Sequence, residues 1–129
     1  MPVEVYVELR GNRWIRVTGR LKQVVVSKGR KSLRYVLVGE SVGELPKLDG
    51  KYALRIPASK LNKVILRLIE EGKGYIIVFE KTGVDEYTAK AESMEALSLL
   101  KNIVEDVFSS GRRTASSEPS REAEESQSS

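Results

Sequence analysis

The chain contains no cysteine and no histidine. The first absence excludes disulfides and thiol nucleophiles. Together the two exclude Cys/His zinc sites and any Ser-His-Asp or Cys-His catalysis. Carboxylate or lysine chemistry remains open to it. Unbroken apolar runs are only a few residues long, far short of a membrane span. The start, Met1-Pro2-Val3-Glu4, lacks the basic segment and apolar stretch of a secretory leader, so a cytoplasmic protein is expected. No cofactor and no metal is expected.

What is present is an ordinary soluble composition, with 129 residues, 40% apolar and 31% charged. That length suits one domain. The absence of Cys, with abundant Val, Ile, Leu, Lys, Arg and Glu, suggests a thermophile. The formal charge is a modest +4, but it is unevenly placed. Residues 1–36 carry nine basic and two acidic groups, residues 37–110 ten and twelve, and residues 111–129 three and four. The charge is therefore +7, −2 and −1 along the chain, an asymmetry that suits a polyanionic partner for the first part.

The last 21 residues, 109–129, include eight Ser, the acidic Glu118, Glu122, Glu124 and Glu125, and no aliphatic side chain larger than Ala. Such a segment buries too little apolar surface to offset its ordering entropy, so a disordered Ser/Glu-rich tail is expected. Residues 1–108 form the expected single domain.

Its first part alternates. Val3, Val5, Val7 and Leu9 interleave with polar residues, as do Ile15 and Val17. A three-residue loop, Gly11-Asn12-Arg13, would put Leu9 opposite Ile15 and Val7 opposite Val17, keeping apolar and polar faces apart. It also sets Arg10 opposite Trp14, Glu8 opposite Arg16, Tyr6 opposite Thr18 and Glu4 opposite Arg20. Val24-Val25-Val26 and Leu33–Val38 continue as strand, with Gly19 a candidate bulge. Residues 39–50 read as loop, and Tyr52, Leu54 and Ile56 as a short strand. Ser59 reads as the N-cap of a helix whose Leu61, Val64, Ile65, Leu68 and Ile69 follow helical spacing. Tyr75–Phe79 reads as a strand covered on both faces. Tyr87, Ala89 and Ala91 alternate in a last strand. A final helix, capped by Ser93 and ending near Phe108, is apolar around much of its circumference. That breadth suggests a second contact layer, such as another subunit, and so a homodimer through helices. The expected fold is α+β, a mostly antiparallel curved sheet with two helices in the order ββββαββα.

The chemistry lies on the second strand. Trp14, Arg16, Thr18, Arg20 and Lys22 occupy alternate positions and would share one face. Arg10, Tyr6, Arg13, Lys28, Arg30, Lys31 and Arg34 lie close by, with Tyr35 a further ring. Rings interleaved with cations suit single-stranded nucleic acid, because any base can stack while the cations follow phosphates. The competing reading is a solvated face with cross-strand pairs Glu8–Arg16 and Glu4–Arg20, or a protein contact. Lys60, Lys63 and Arg67 on the first helix read as an ordinary exposed stripe. Asp49 and Asp85-Glu86 show no catalytic or metal-binding spacing, and residues 39–43 do not form a phosphate loop, so no enzyme is expected.

Asn12-Arg13-Trp14-Ile15-Arg16-Val17 resembles the basic, aromatic first strand of positive-cofactor-four-type coactivator domains. Gly43-Glu44-Leu45, Gly50-Lys51 before Leu54, and the helix from Lys60 are similar to that family's last strand and helix. The resemblance covers residues 8–71; residues 74–108 and the sequence around Val24–Val38 depart from it. It implies a curved antiparallel sheet that dimerises and binds single-stranded DNA, related to the sheets of Whirly and PUR-alpha proteins, with Arg13, Trp14 and Arg16 carried over. The overall profile also looks like ThermoDBP-type single-stranded DNA-binding proteins of thermophilic archaea. The expectation is a non-catalytic single-stranded nucleic-acid-binding protein, DNA by resemblance, whose residues alone do not separate DNA from RNA. The alternative is a protein-interaction module or small subunit of a larger complex, with the acidic tail as a further protein contact.

Overall fold

A computed structural model describes the backbone of residues 2–116 and the side chains of residues 2–109. The elements are β1 (Glu4–Leu9), β2 (Arg13–Ser27), β3 (Arg30–Val42), β4 (Tyr52–Pro57), α1 (Leu61–Glu71), β5 (Ile76–Gly83), β6 (Glu86–Ala91) and α2 (Met94–Ser116). Short 3-10 turns at Arg10–Asn12 and Ala58–Lys60 interrupt the expected succession of elements. The fold is α+β, with six strands in one open sheet of spatial order β3-β2-β1-β5-β6-β4. The sheet is mixed rather than antiparallel throughout, because β1 and β5 run parallel at its centre. The parallel pair arises because the chain leaves β3 at one edge, enters β4 at the other and returns through α1 before laying β5 beside β1.

The alternating strands put one set of side chains beneath the helices. Val5, Val7, Ile56, Ile77, Phe79, Ala89 and Ala91 meet Leu61, Val64, Ile65 and Leu68 of α1 and Ala96, Leu97, Leu100, Ile103, Val104 and Val107 of α2 in one core. The breadth of the apolar surface on α2 is taken up within the chain, by α1 on one side and by β4 and β6 on the other. Of Met94, Ala96, Leu97, Leu99, Leu100, Ile103, Val104, Val107 and Phe108, only Met94 is exposed.

Several local expectations are corrected. Ser59 sits in a 3-10 turn, and α1 starts at Leu61 without a side-chain cap. Gly72 ends α1 in the left-handed region at φ 64, where a glycine has no Cβ to clash. Ser93 caps α2, its Oγ accepting the Ala96 N–H at 3.2 Å. That helix runs past Phe108 to Ser116. Ser, Arg, Thr and Ala all tolerate helix there, and Gly111 costs only about 1 kcal/mol. The remainder of the expected tail, 117–129, lies outside the described residues. β5 is covered by helices on one face only. Val78 on its other face is buried beside its direct cross-strand neighbours Tyr6 and Lys90.

The first hairpin keeps the expected faces but shifts by two residues. Tyr6 pairs with Arg16, Val7 with Ile15 and Glu8 with Trp14. A shift of two preserves side-chain direction, which is why the alternation alone did not detect it. The turn is the 3-10 segment Arg10–Asn12, so Arg10 leaves the ladder altogether.

The β2–β3 register shifts between Val17 and Gly19 and leaves Thr18 without a partner, a bulge. Beside it, Val17 pairs with Gly39, whose ideal Cβ would lie 2.7 Å from the Arg16 carbonyl oxygen and 3.1 Å from Ile15 Cδ1. Only glycine fits this approach. Gly39→Ala is expected to lower stability by about 1–3 kcal/mol through forced backbone and Ile15 displacement. Urea denaturation with an unchanged midpoint would show that the ladder relaxes there at no cost.

Candidate nucleic-acid interface

The bulge divides the expected stripe. Before it, Ile15 and Val17 pack toward the core, so Trp14 and Arg16 lie on the open face with Tyr6 and Glu8. After it, Leu37 packs against the core and pairs with Arg20. Directly paired residues share a face, so Arg20 points to the helix side, where its Nη1 donates to Glu70 Oε2 of α1 at 3.1 Å. Lys22 follows Arg20 by two and pairs with Tyr35 on that same side. Arg20 and Lys22 therefore do not share a face with Trp14 and Arg16.

The two faces differ in charge. On the open face Trp14 pairs directly with Glu8, and Arg16 pairs with Glu40 at 2.7 Å. That hydrogen bond, with the Coulomb attraction behind it, raises the Arg16 guanidinium above its already high ordinary value. Further across, Lys90 pairs with Glu80 at 2.7 Å. The expected ion pairs Glu8–Arg16 and Glu4–Arg20 are not formed. Glu8 Oε1 instead accepts the Lys81 backbone N–H at 2.9 Å, and Glu4 Oε1 accepts the Tyr6 hydroxyl at 2.9 Å.

Tyr6 is only 8% exposed, so little of its ring could meet a base. Trp14 is half-buried. Arg10 and Arg13 are exposed at the turn, where Arg13 Nε donates to the Arg10 carbonyl at 3.3 Å. Lys28, Arg30, Lys31 and Arg34 lie exposed on the far part of the β2–β3 hairpin.

That far part is an arm. Beyond the bulge the two strands pair from Gly19–Val38 to Ser27–Arg30 with no further strand beside them. At about 3.3 Å per residue the arm is roughly 30 Å long. Lys28 (φ 53) and Gly29 (φ 76) close it as a two-residue turn with both residues left-handed, the geometry that matches strand twist. From Leu9 to Gly39 the sequence holds nine cations and no carboxylate. Of these only Arg16 and Arg20 have ion-pair partners among the described residues. Leu21 (58%), Val24 (61%), Val26 (63%) and Leu33 (58%) are exposed along the same ribbon. The cations are read directly from the sequence; the exposure of these apolar residues follows from the absence of a further strand beside the arm, which no local pattern reports.

The other sequence candidates have structural roles. Lys60 lies over the Phe108 ring at 5.8 Å, Arg67 pairs with Asp106, and Lys63 is exposed. Asp49 Oδ1 accepts the Lys51 N–H at 2.9 Å, and the Asp85 carbonyl accepts the Ala58 N–H. Glu86 faces Arg55 at 3.5 Å. Among the described residues no three Asp or Glu are grouped to hold a metal ion. No described helix is long and apolar enough to cross a membrane.

Fold and site together define an open-faced α+β protein with a basic, apolar hairpin arm. No family model, curated protein or solved structure matches the chain.

Two phenols titrate late. Burial raises Tyr6 above its ordinary value of 10.0, and its hydrogen bond to Glu4 adds to this. Burial, with the Glu8 charge, does the same to Tyr87. An acid whose folded value is raised contributes stability below its unfolded value and loses it as pH rises through the folded one. The urea midpoint is expected to fall above about pH 10, with Tyr6→Phe and Tyr87→Phe flattening the fall. A midpoint independent of pH there would contradict the assignment.

Proposed function

We propose that the chain is a non-catalytic single-stranded nucleic-acid-binding protein and that the β2–β3 arm is its main contact. The observation that carries this reading is the run from Leu9 to Gly39, nine cations without a carboxylate, on a ribbon that also exposes apolar side chains. Phosphates need the cations, and unpaired bases need apolar or ring surface; the two together favour a single strand over a duplex, whose bases are already stacked. The open sheet face supports the reading less well, because Glu8 and Glu40 stand beside Trp14 and Arg16. Trp14, near the root of the arm, is the natural optical probe.

With the seven cations that lack ion-pair partners among the described residues engaged, log affinity should fall with log salt at a slope approaching about −5, at ~0.7 per phosphate. Replacing Lys28, Arg30 and Lys31 together by Gln should weaken binding tenfold or more at low salt and flatten the slope by about 2. Anisotropy of labelled single-stranded DNA, single-stranded RNA and duplex DNA checks both. An unchanged slope would remove the arm from the interface, and no binding at low salt would end the proposal.

The exposed Leu21, Val24, Val26 and Leu33 favour a second reading, a protein-binding arm. A stoichiometric protein partner that survives nuclease treatment and is lost on Val24→Lys would support it over the first.

A further inference from the structure

The helix side of the arm borders a cleft of about 500 Å³. One wall is β3, with Arg34 and Tyr35; the other is α1, with Leu61, Asn62 and Ile65; Tyr87 of β6 closes one side. No carboxylate lines it. The size is that of ordinary ligand sites, which combine an apolar lining with a few convergent polar groups. Here the polar groups are the Tyr35 phenol and the Asn62 carboxamide; Arg34 pairs with Gln23 and its side chain turns to the other face, whereas Lys22 and Lys31 share Tyr35's side of the arm.

Tyr35 is 42% exposed, and the Arg20 guanidinium lies over its ring 4.9 Å from the centroid. Arg20 is in turn held by Glu70 of α1 at 3.1 Å. The arm's ring and cation are thus fixed against α1 rather than left to swing. Tyr87 is fixed as well, its hydroxyl donating to the Glu8 carbonyl at 3.2 Å.

We infer that this cleft is a base-binding site, in which one or more bases of a single strand lie against Tyr35 and the apolar floor while Lys22 and Lys31, on the same side of the arm, meet the flanking phosphates. The inference rests on the nucleic-acid reading and moves the recognition of bases from the open face, where Trp14 lies, to the opposite side of the bulge. Charge selects the occupant. Lys22 and Lys31, without ion-pair partners among the described residues, disfavour a second copy of the same basic arm and favour a polyanion with flat apolar groups. Asn62 can donate and accept toward a base edge.

The test compares a short oligothymidylate with an abasic phosphodiester of equal length, measured by anisotropy against the full chain. Wild type should bind the base-bearing strand more tightly, by about 5- to 150-fold for one stacked base. Tyr35→Ala should remove most of that preference and leave abasic binding unchanged, while Tyr35→Phe should keep it. Asn62→Trp, at an exposed helix position, fills the mouth without touching the core and should act like Tyr35→Ala. Equal binding of the two strands by wild type would overturn the cleft and leave the electrostatic reading standing. A preference that survives both Tyr35→Ala and Asn62→Trp would overturn it too. Binding of neither strand would overturn both readings. Light scattering that shows a dimer lost on Tyr35→Ala would assign the cleft to a second copy and also overturn the inference.

Discussion

The hydrogen-bonded ladder between β2 and β3 is longer than the layer that covers it. Two helices bury one face of the sheet around Ile56, Phe79, Ile65 and Leu100, all without solvent exposure. The ladder continues past that core, from Gly19–Val38 to Ser27–Arg30, as two strands alone. A two-stranded ribbon is at best marginal in water without packing on one side. Its root is held by Arg20 on Glu70 and by Leu37 against the core. Everything distinctive about the surface follows from this mismatch. The apolar side chains that would be core in a shorter hairpin are left in solvent, and the cations between them have no acidic neighbours in sequence.

The bulge at Thr18 decides where that surface points. One unpaired residue reverses the side-chain direction of everything after it. Gly39 makes the irregularity possible, because its missing Cβ lets the two strands approach at the Arg16 carbonyl. The result separates two environments that a regular strand would have merged. Arg16 stays on the open face among carboxylates and is neutralised by Glu40. Arg20 and Lys22 turn to the helix side, where Arg20 meets Glu70 of α1. The open sheet face is mixed in charge, whereas the arm's own sequence carries cations and no carboxylate.

Much of the local structure is legible in the chain. The 2-residue period of Val5, Val7 and Leu9 and the helical spacing of Leu61, Val64, Ile65 and Leu68 identify their elements and buried faces, since burying one face imposes those periods. Other features are not legible, for separable reasons. The first hairpin is offset by two residues, which the face pattern cannot sense. The parallel pairing of β1 with β5 joins segments about seventy residues apart, and nothing in either segment names its neighbour. Glu8 stands opposite Arg16 in the expected register but opposite Trp14 in the observed one. Glu8 instead satisfies the Lys81 N–H, a group supplied by the tertiary fold.

Composition and order along the chain were sufficient for the chemistry this protein lacks and for the basic character of its first third. Charge counts and the absence of Cys and His do not depend on conformation. The placement of those charges does. Whether Arg20 stands beside Trp14 or across the sheet from it depends on one unpaired residue in a ladder. Whether Val24, Val26 and Leu33 are core or surface depends on how far two helices reach over the sheet. Both are decided by packing between distant segments, where the gain from burial is shared by many residues and written in none of them singly.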